Sequence, residues 1–167
     1  MAKRILRVLA GVALLWFAAK RTQADGNPQL AGFDVAVIVN KGSSVVSLSS
    51  RDLRGILLGT KDAWPDGTKL IAVSLPTERP ETRMILKEVC GMSEADFKRY
   101  FLMMNFQGKS VSPPRMMRTS TSIKAFVEST RGALGVIPLR DVDPSVTVMS
   151  IDGVRPGTPG YKLSMTQ

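Results

Sequence analysis

The sequence contains no histidine and only one cysteine among its 167 residues. Without histidine, no side chain titrates near neutral pH at its ordinary pKa, so Ser-His-Asp catalysis, Cys-His catalysis and histidine-based zinc sites are excluded. The single cysteine, Cys90, rules out a structural disulfide within the chain. Its apolar neighbours Leu86, Val89 and Met92 predict that the thiol is buried and unreactive.

The motifs of several enzyme classes are also missing. The segment K-G-S-S at residues 41–44 lacks the spacing of a phosphate-cradling nucleotide loop, and no G-x-S-x-G or S-x-x-K motif occurs. Two acidic pairs, Asp141 with Asp143 and Asp62 with Asp66, lie in turn-like sequence, where carboxylates are usually solvated. We therefore expect no enzyme activity, no metal site and no cofactor.

The formal net charge of +9 is concentrated at the N-terminus. Five basic residues and no acidic ones lie in the first 24 positions, so the rest of the chain balances 18 basic residues against 14 acidic ones. A nucleic-acid groove needs basic residues interleaved with aromatic ones, and no such run is present. Nucleic acid is therefore not an expected partner.

Residues 1–24 have the three parts of an export signal peptide. Lys3, Arg4 and Arg7 precede an unbroken apolar run at residues 8–19, and the small residues of T-Q-A at positions 22–24 suit a signal peptidase. The apolar run rises about 18 Å as a helix, well short of the roughly 30 Å hydrocarbon core of a membrane. No lipobox cysteine follows it. This pattern predicts a periplasmic protein that is released by cleavage and is not a lipoprotein.

Two basic residues directly after the apolar run leave an alternative open. Lys20 and Arg21 stand where cleaved signals seldom carry positive charge, so an uncleaved membrane anchor is the alternative to the cleaved signal. The expected organisation is a signal peptide at 1–24, a polar lead at 25–32, one α/β domain at 33–152 and an irregular tail at 153–167.

The α/β class follows from apolar runs that alternate with amphipathic segments. Strands are expected at residues 33–39, 70–75, 133–138 and 146–151, and the first is apolar enough to be buried on both faces. Helices are expected at 51–58, capped by Ser49 or Ser50, at 80–89, from Ser93 toward 106, and from Ser120 or Ser122 toward 132. The strands at 33–39, 70–75 and 133–137 are predicted to share one sheet.

A candidate anion site lies where the second of these strands runs into a helix, at residues 74–83. A helix start exposes N–H groups, and Arg79 and Arg83 at i, i+4 can converge on one face beside the hydroxyl of Thr82. The alternative is an ordinary helix start, because Glu81 in the first turn can satisfy those donors internally.

Two longer runs resemble the periplasmic phosphate-binding proteins of ABC transporters. Residues 37–73 contain V-N after a strand, then L-R-G-I-L-L-G, W-P-D-G and a second strand, and residues 121–138 resemble that family's helix leading into a P-G-A-I-G-Y-V strand. The resemblance covers roughly residues 33–139. It implies a small single lobe of the periplasmic-binding-protein fold, with a mixed sheet flanked by helices.

The resemblance also implies a ligand and the residues that bind it. The family holds its oxyanion with a Ser-Gly-Thr motif, which stands here as Pro80-Glu81-Thr82, so a carboxylate replaces a glycine. For an oxyanion-binding function the candidate contacts are Arg79, Thr82 and Arg83 at the helix start and Ser43 and Ser44 in the loop after the first strand.

Two functions stay open at this point. One is an exported protein that binds phosphate or another small oxyanion for an ABC-type transporter. The other is a periplasmic protein-interaction module that uses the same lobe without a ligand, which the carboxylate of Glu81 favours.

Overall fold

The computed structural model describes residues 33–165. The expected signal peptide at 1–24 and the polar lead at 25–32 lie outside the described residues. Strand β1 (Val35–Val39) is the most deeply buried element, since each of its side chains is almost completely inaccessible. β1 has a strand on both sides, as expected for a continuous run of β-branched and apolar residues.

The main sheet has five strands in the order β4-β3-β5-β1-β6. They are β1, β3 (Ile71–Ser74), β4 (Arg115–Met116), β5 (Ala133–Pro138) and β6 (Thr147–Val148). β5 runs antiparallel to β1 and parallel to β3, which in turn is parallel to β4. The predicted sharing of one sheet by the three long strands is confirmed, and the fold is a mixed α/β sheet flanked by helices.

Helices cover both faces of this sheet. Helix α4 (Ser120–Ser129) packs on one face, where Ile123 and Val127 meet Ala36 and Ile38 of β1. The other face is covered by α1 (Ser50–Leu57), α2 (Pro80–Ile85), a π-helical turn (Leu86–Cys90) and α3 (Glu94–Phe106). Alternate residues of β1 point to the two faces, so one strand supplies both halves of the core.

Side-chain caps begin three of the four predicted helices, and α2 begins without one. The hydroxyls of Ser49 and Ser93 accept hydrogen bonds from backbone N–H groups three residues on, at the starts of α1 and α3. The start predicted at Ser120 or Ser122 is Ser120, with Thr119 as the cap.

The single strand predicted at residues 146–151 is instead two short strands. β6 pairs with β1, whereas β7 (Ser150–Ile151) leaves the main sheet and pairs in parallel with β2 (Ser47–Leu48). Met149 lies between them, fully buried, and its N–H donates to the carbonyl of Val37. The partner of β7 is a segment about a hundred residues earlier, so local sequence does not reveal this division.

Gly135 allows α4 to approach the sheet. A Cβ atom at this position of β5 would lie 2.7 Å from Ile123, 2.9 Å from Ile38 and 3.0 Å from Val127. A larger residue would therefore push α4 off the sheet.

The two segments that resemble phosphate-binding proteins, residues 37–73 and 121–138, meet at Gly132. Trp64, in the W-P-D-G turn, donates its indole N–H to the carbonyl of Gly132 at 2.9 Å. Gly132 has a φ of +85°, and a Cβ there would lie 2.3 Å from the carbonyl oxygen of Lys69. The turn and the start of β5 therefore form one contact that only glycine permits.

The segment after Gly153 packs against β1, although it forms no long strand. The N–H of Val35 donates to the carbonyl of Leu163 at 2.8 Å, and the buried hydroxyl of Tyr161 donates to the carbonyl of Val35 at 2.7 Å. Burial raises the pKa of that hydroxyl. This segment thus supplies the partners that β1 lacks beyond the end of β6.

Cys90 is buried at the end of the π-helical turn. Burial raises the pKa of its thiol to about 11, so the thiol stays protonated near neutral pH. The expectation of a buried, apolar cysteine is confirmed. None of the helices formed by residues 33–165 is both long and apolar enough to span a bilayer.

Replacing Tyr161 by phenylalanine tests the contribution of the C-terminal segment. The variant leaves the buried carbonyl of Val35 without its donor, so we expect the free energy of unfolding to fall by about 1–3 kcal/mol in urea denaturation. Tyr100→Phe is the matched control, because the hydroxyl of Tyr100 has no hydrogen-bond partner among residues 33–165. Equal effects of the two substitutions would contradict this role.

Candidate functional site

A cleft of about 630 Å³ lies at one edge of the sheet. β3, β4 and β5 are parallel, so their carboxyl ends meet there, as is usual for ligand sites in α/β proteins. Loops that follow these three strands, together with the first turn of α4, form the cleft. The lining residues are Leu75, Arg79, Arg118, Thr119, Ser120, Thr121, Lys124, Arg140, Asp141, Val142 and Asp143.

Four basic side chains converge on this cleft from separate parts of the chain. Lys124 pairs with Asp143, and hydrogen bonds from Lys124 and Ser145 hold the pKa of the Asp143 carboxyl below its ordinary value. Arg118 has no ion-pair partner within residues 33–165. The guanidinium of Arg118 is therefore available to an anion.

Asp141 also lines the cleft, and both of its carboxylate oxygens contact neighbouring side chains. One of its carboxylate oxygens accepts a hydrogen bond from the hydroxyl of Ser120 at 2.6 Å, and the other lies 4.0 Å from Nε of Arg140. The remaining two arginines, Arg79 and Arg140, share the carboxylate of Glu81.

Glu81 lies in the first turn of α2 and is only 1% exposed. Its Oε1 atom is 3.4 Å from Nη2 of Arg79 and 3.4 Å from Nη2 of Arg140. Its Oε2 atom has no hydrogen-bond partner in the described part of the chain. The carboxylate thus joins the loop before α2 to the turn after β5.

Thr82 is buried, and its hydroxyl is used within the fold. Oγ1 donates to the carbonyl of Leu75 at 3.1 Å, which ties the start of α2 to the end of β3. Its hydroxyl is not among the groups that line the cleft.

Arg79 and Arg83 do not converge. Arg79 lines the cleft, whereas Arg83 borders a different depression and lies 3.7 Å from the carboxylate of Glu94. The N–H of Arg83 donates to the carbonyl of Arg79 at 2.9 Å, as in a regular helix, but Arg79 is the N-cap and has extended dihedrals, so its side chain does not take the helical direction that would place it beside that of Arg83.

Ser43 and Ser44 border a third, much smaller pocket of about 20 Å³, beside Trp64 and Gly132. The hydroxyl of Ser43 donates to the carbonyl of Val45 and accepts from its N–H, which closes a local turn. The structure therefore brings only Arg79 of the five predicted residues to the cleft, and Thr82 is connected to it through the hydrogen bond to Leu75.

Sequence reasoning missed Arg118, Lys124 and Arg140. Arg140 follows the predicted strand at 133–138, so a polar residue after a predicted strand was the available signal for it. Arg118 follows β4, which was not predicted, and Lys124 lies within α4, so neither had that signal. To place such residues on one cleft, one must also know which strands are parallel. The direction of β5 relative to β1 and β3 is set by long-range pairing, which local sequence does not reveal.

No protein-family model and no curated protein matches the sequence. Solved structures do share the fold. A candidate phosphate ABC transporter substrate-binding protein from Clostridium perfringens, with bound phosphate, aligns at a TM-score of 0.65 and 22% identity over 81% of this chain and 54% of that one. An ABC-type phosphate transport receptor from Vibrio cholerae aligns at 0.59 and 20% identity, over 81% and 55%. PstS from Borrelia burgdorferi aligns at 0.64 and 10% identity, over 81% and 56%.

The expected fold is therefore confirmed. The chain spans about half the length of these structures and has the fold of that part of phosphate-binding proteins.

Two substitutions at Thr82 distinguish a structural hydroxyl from a ligand contact. Thr82→Val leaves the carbonyl of Leu75 unpaired, so we expect the free energy of unfolding to fall by about 1–3 kcal/mol, whereas Thr82→Ser keeps the hydrogen bond. Urea denaturation measures both, and Thr121→Val at the exposed rim is the control. Loss of oxyanion binding by Thr82→Val at unchanged stability would show instead that the hydroxyl contacts the ligand.

Proposed function

We propose that this protein is an exported, non-enzymatic binding protein for a small, phosphate-like oxyanion, and that the ligand binds in the cleft at the carboxyl ends of β3, β4 and β5. The observation that carries the proposal is the convergence of Arg79, Arg118, Lys124 and Arg140 on one cleft, with Arg118 lacking an ion-pair partner within residues 33–165. Guanidinium groups match the geometry of oxyanions. The fold shared with phosphate-binding proteins supports the same ligand class.

The expected affinity is modest. The cleft is open on one side, and the chain spans about half of the phosphate-binding structures, so a bound anion stays partly solvated. We expect a dissociation constant between micromolar and millimolar, or roughly −8 to −4 kcal/mol.

The proposed location is the periplasm, and the proposed partner is an ABC-type membrane transporter. The tripartite pattern at residues 1–24 supports export through a cleavable signal. The aligned proteins from Clostridium perfringens and Vibrio cholerae are described as ABC transport components, which supports the partner.

A second candidate is a protein-interaction module built on the same lobe. Glu81 favours it, because its carboxylate already contacts two of the four basic groups of the cleft. In that case the cleft stays without a small ligand.

Inorganic phosphate titrated into the exported protein tests the proposal. At 100 times its dissociation constant, a ligand stabilises the folded state by about 2.7 kcal/mol, which raises Tm by several degrees at this size. We expect such a rise for the wild type and a loss of most of it for Arg118→Ala. Arg99→Ala, an exposed arginine of α3 outside the cleft, should leave it unchanged.

Arg83→Ala separates the cleft from the site predicted by sequence alone. If the ligand binds in the cleft, Arg83→Ala retains the Tm rise, and if it binds at the helix start beside Arg83, this variant loses it. No rise with phosphate or sulfate in the wild type would contradict oxyanion binding and favour the interaction module.

The mass of the protein recovered from the periplasm tests export separately. Cleavage after Ala24 should give a species that begins at Asp25. An intact species of all 167 residues held in the membrane would support the uncleaved anchor.

A further inference from the structure

The buried carboxylate of Glu81 is poorly compensated. A buried charge normally requires several hydrogen bonds of good geometry, because leaving water costs several kcal/mol. Here the two contacts of Oε1, both 3.4 Å, are long, and Oε2 has none within residues 33–165. A buried carboxylate with so few hydrogen bonds is not explained by stabilisation of the fold, and its contacts with two arginines of the cleft point to a role there.

The carboxylate changes the charge that the cleft presents to a ligand. Arg79 and Arg140 come from different loops, and both side chains are more than half exposed on the cleft side. Because they share Glu81, this group of three retains one positive charge.

The rest of the cleft adds no net charge. Lys124 is balanced by Asp143, and the two charged groups that remain in the lining, Arg118 and Asp141, carry opposite charges although they are not paired with each other. The cleft as a whole therefore offers about one uncompensated positive charge to an incoming anion.

We propose that Glu81 is a specificity-determining residue that makes this cleft selective for singly charged small oxyanions over doubly charged ones. A singly charged anion neutralises the cleft. A doubly charged one brings a second negative charge toward a buried carboxylate that water screens poorly. Glu81 acts through Arg79 and Arg140 and need not touch the ligand. The inference rests on the proposed oxyanion-binding function and names its ligand class.

Sulfate and methyl sulfate are matched probes, since both present sulfate oxygens but carry two charges and one. Calorimetric titration of the exported protein at constant ionic strength should show the wild type binding methyl sulfate more tightly than sulfate. Glu81→Gln removes the buried charge at nearly constant shape and should reverse this order.

The effects of Glu81→Gln on the affinities for sulfate and for methyl sulfate distinguish an electrostatic role of the carboxylate from a role in packing. Coulomb energy is proportional to ligand charge, so the gain in affinity for sulfate should be about the square of the gain for methyl sulfate, for example about tenfold against about threefold. A merely structural role of Glu81 changes both affinities by the same factor, and that result would overturn the inference.

Two further variants complete the experiment. Asp141→Asn removes a cleft charge without altering the buried core, so it should shift selectivity toward sulfate even if Glu81→Gln fails to fold. Glu88→Gln removes an exposed carboxylate outside the cleft and should shift nothing.

The possible failures differ from one another. If the wild type binds both probes with sulfate preferred, or if a folded Glu81→Gln variant leaves the order unchanged, the inference is wrong and oxyanion binding stands. Where Glu81→Gln does not fold, unchanged selectivity in Asp141→Asn has the same meaning. If no variant and no wild-type protein binds either probe, the proposed function is wrong and the inference fails with it.

Discussion

The burial of β1 on both faces is the constraint on which the rest of the structure depends. Its five residues are apolar, so each face must be covered, and the alternating side chains direct α4 to one face and α1 to α3 to the other. Its backbone needs partners along both edges, which β5, β6 and the segment containing Tyr161 and Leu163 supply.

The same arrangement produces the cleft. Because β5 is antiparallel to β1 but parallel to β3, the carboxyl ends of three strands lie at one edge, where their loops carry basic residues. Arg118 and Arg140 are more than twenty residues apart in sequence, yet they line one surface. The proposed ligand chemistry is thus a consequence of strand direction.

Position 81 shows how one side chain modifies a shared fold. The sequence motif that this segment resembles has a glycine at the corresponding position, whereas this chain places a buried carboxylate against two arginines of the cleft. The substitution leaves the sheet and helices in place, since structures with this fold still align over 81% of the chain. The carboxylate instead lowers the positive charge of the cleft beside Arg79 and Arg140.

Sequence alone determined the α/β class, the main strands, a cap at Ser93, another at Ser49 or Ser50, and the burial of Cys90, because these follow from local apolar runs and hydrogen bonds within a few residues. The tertiary structure alone decided which residues line the candidate cleft. Arg79 and Arg83 are close in sequence but separate in space, and the pairing of distant strands brings Arg118 and Arg140 together. Local patterns fix which elements form, whereas long-range strand pairing fixes which of their ends meet.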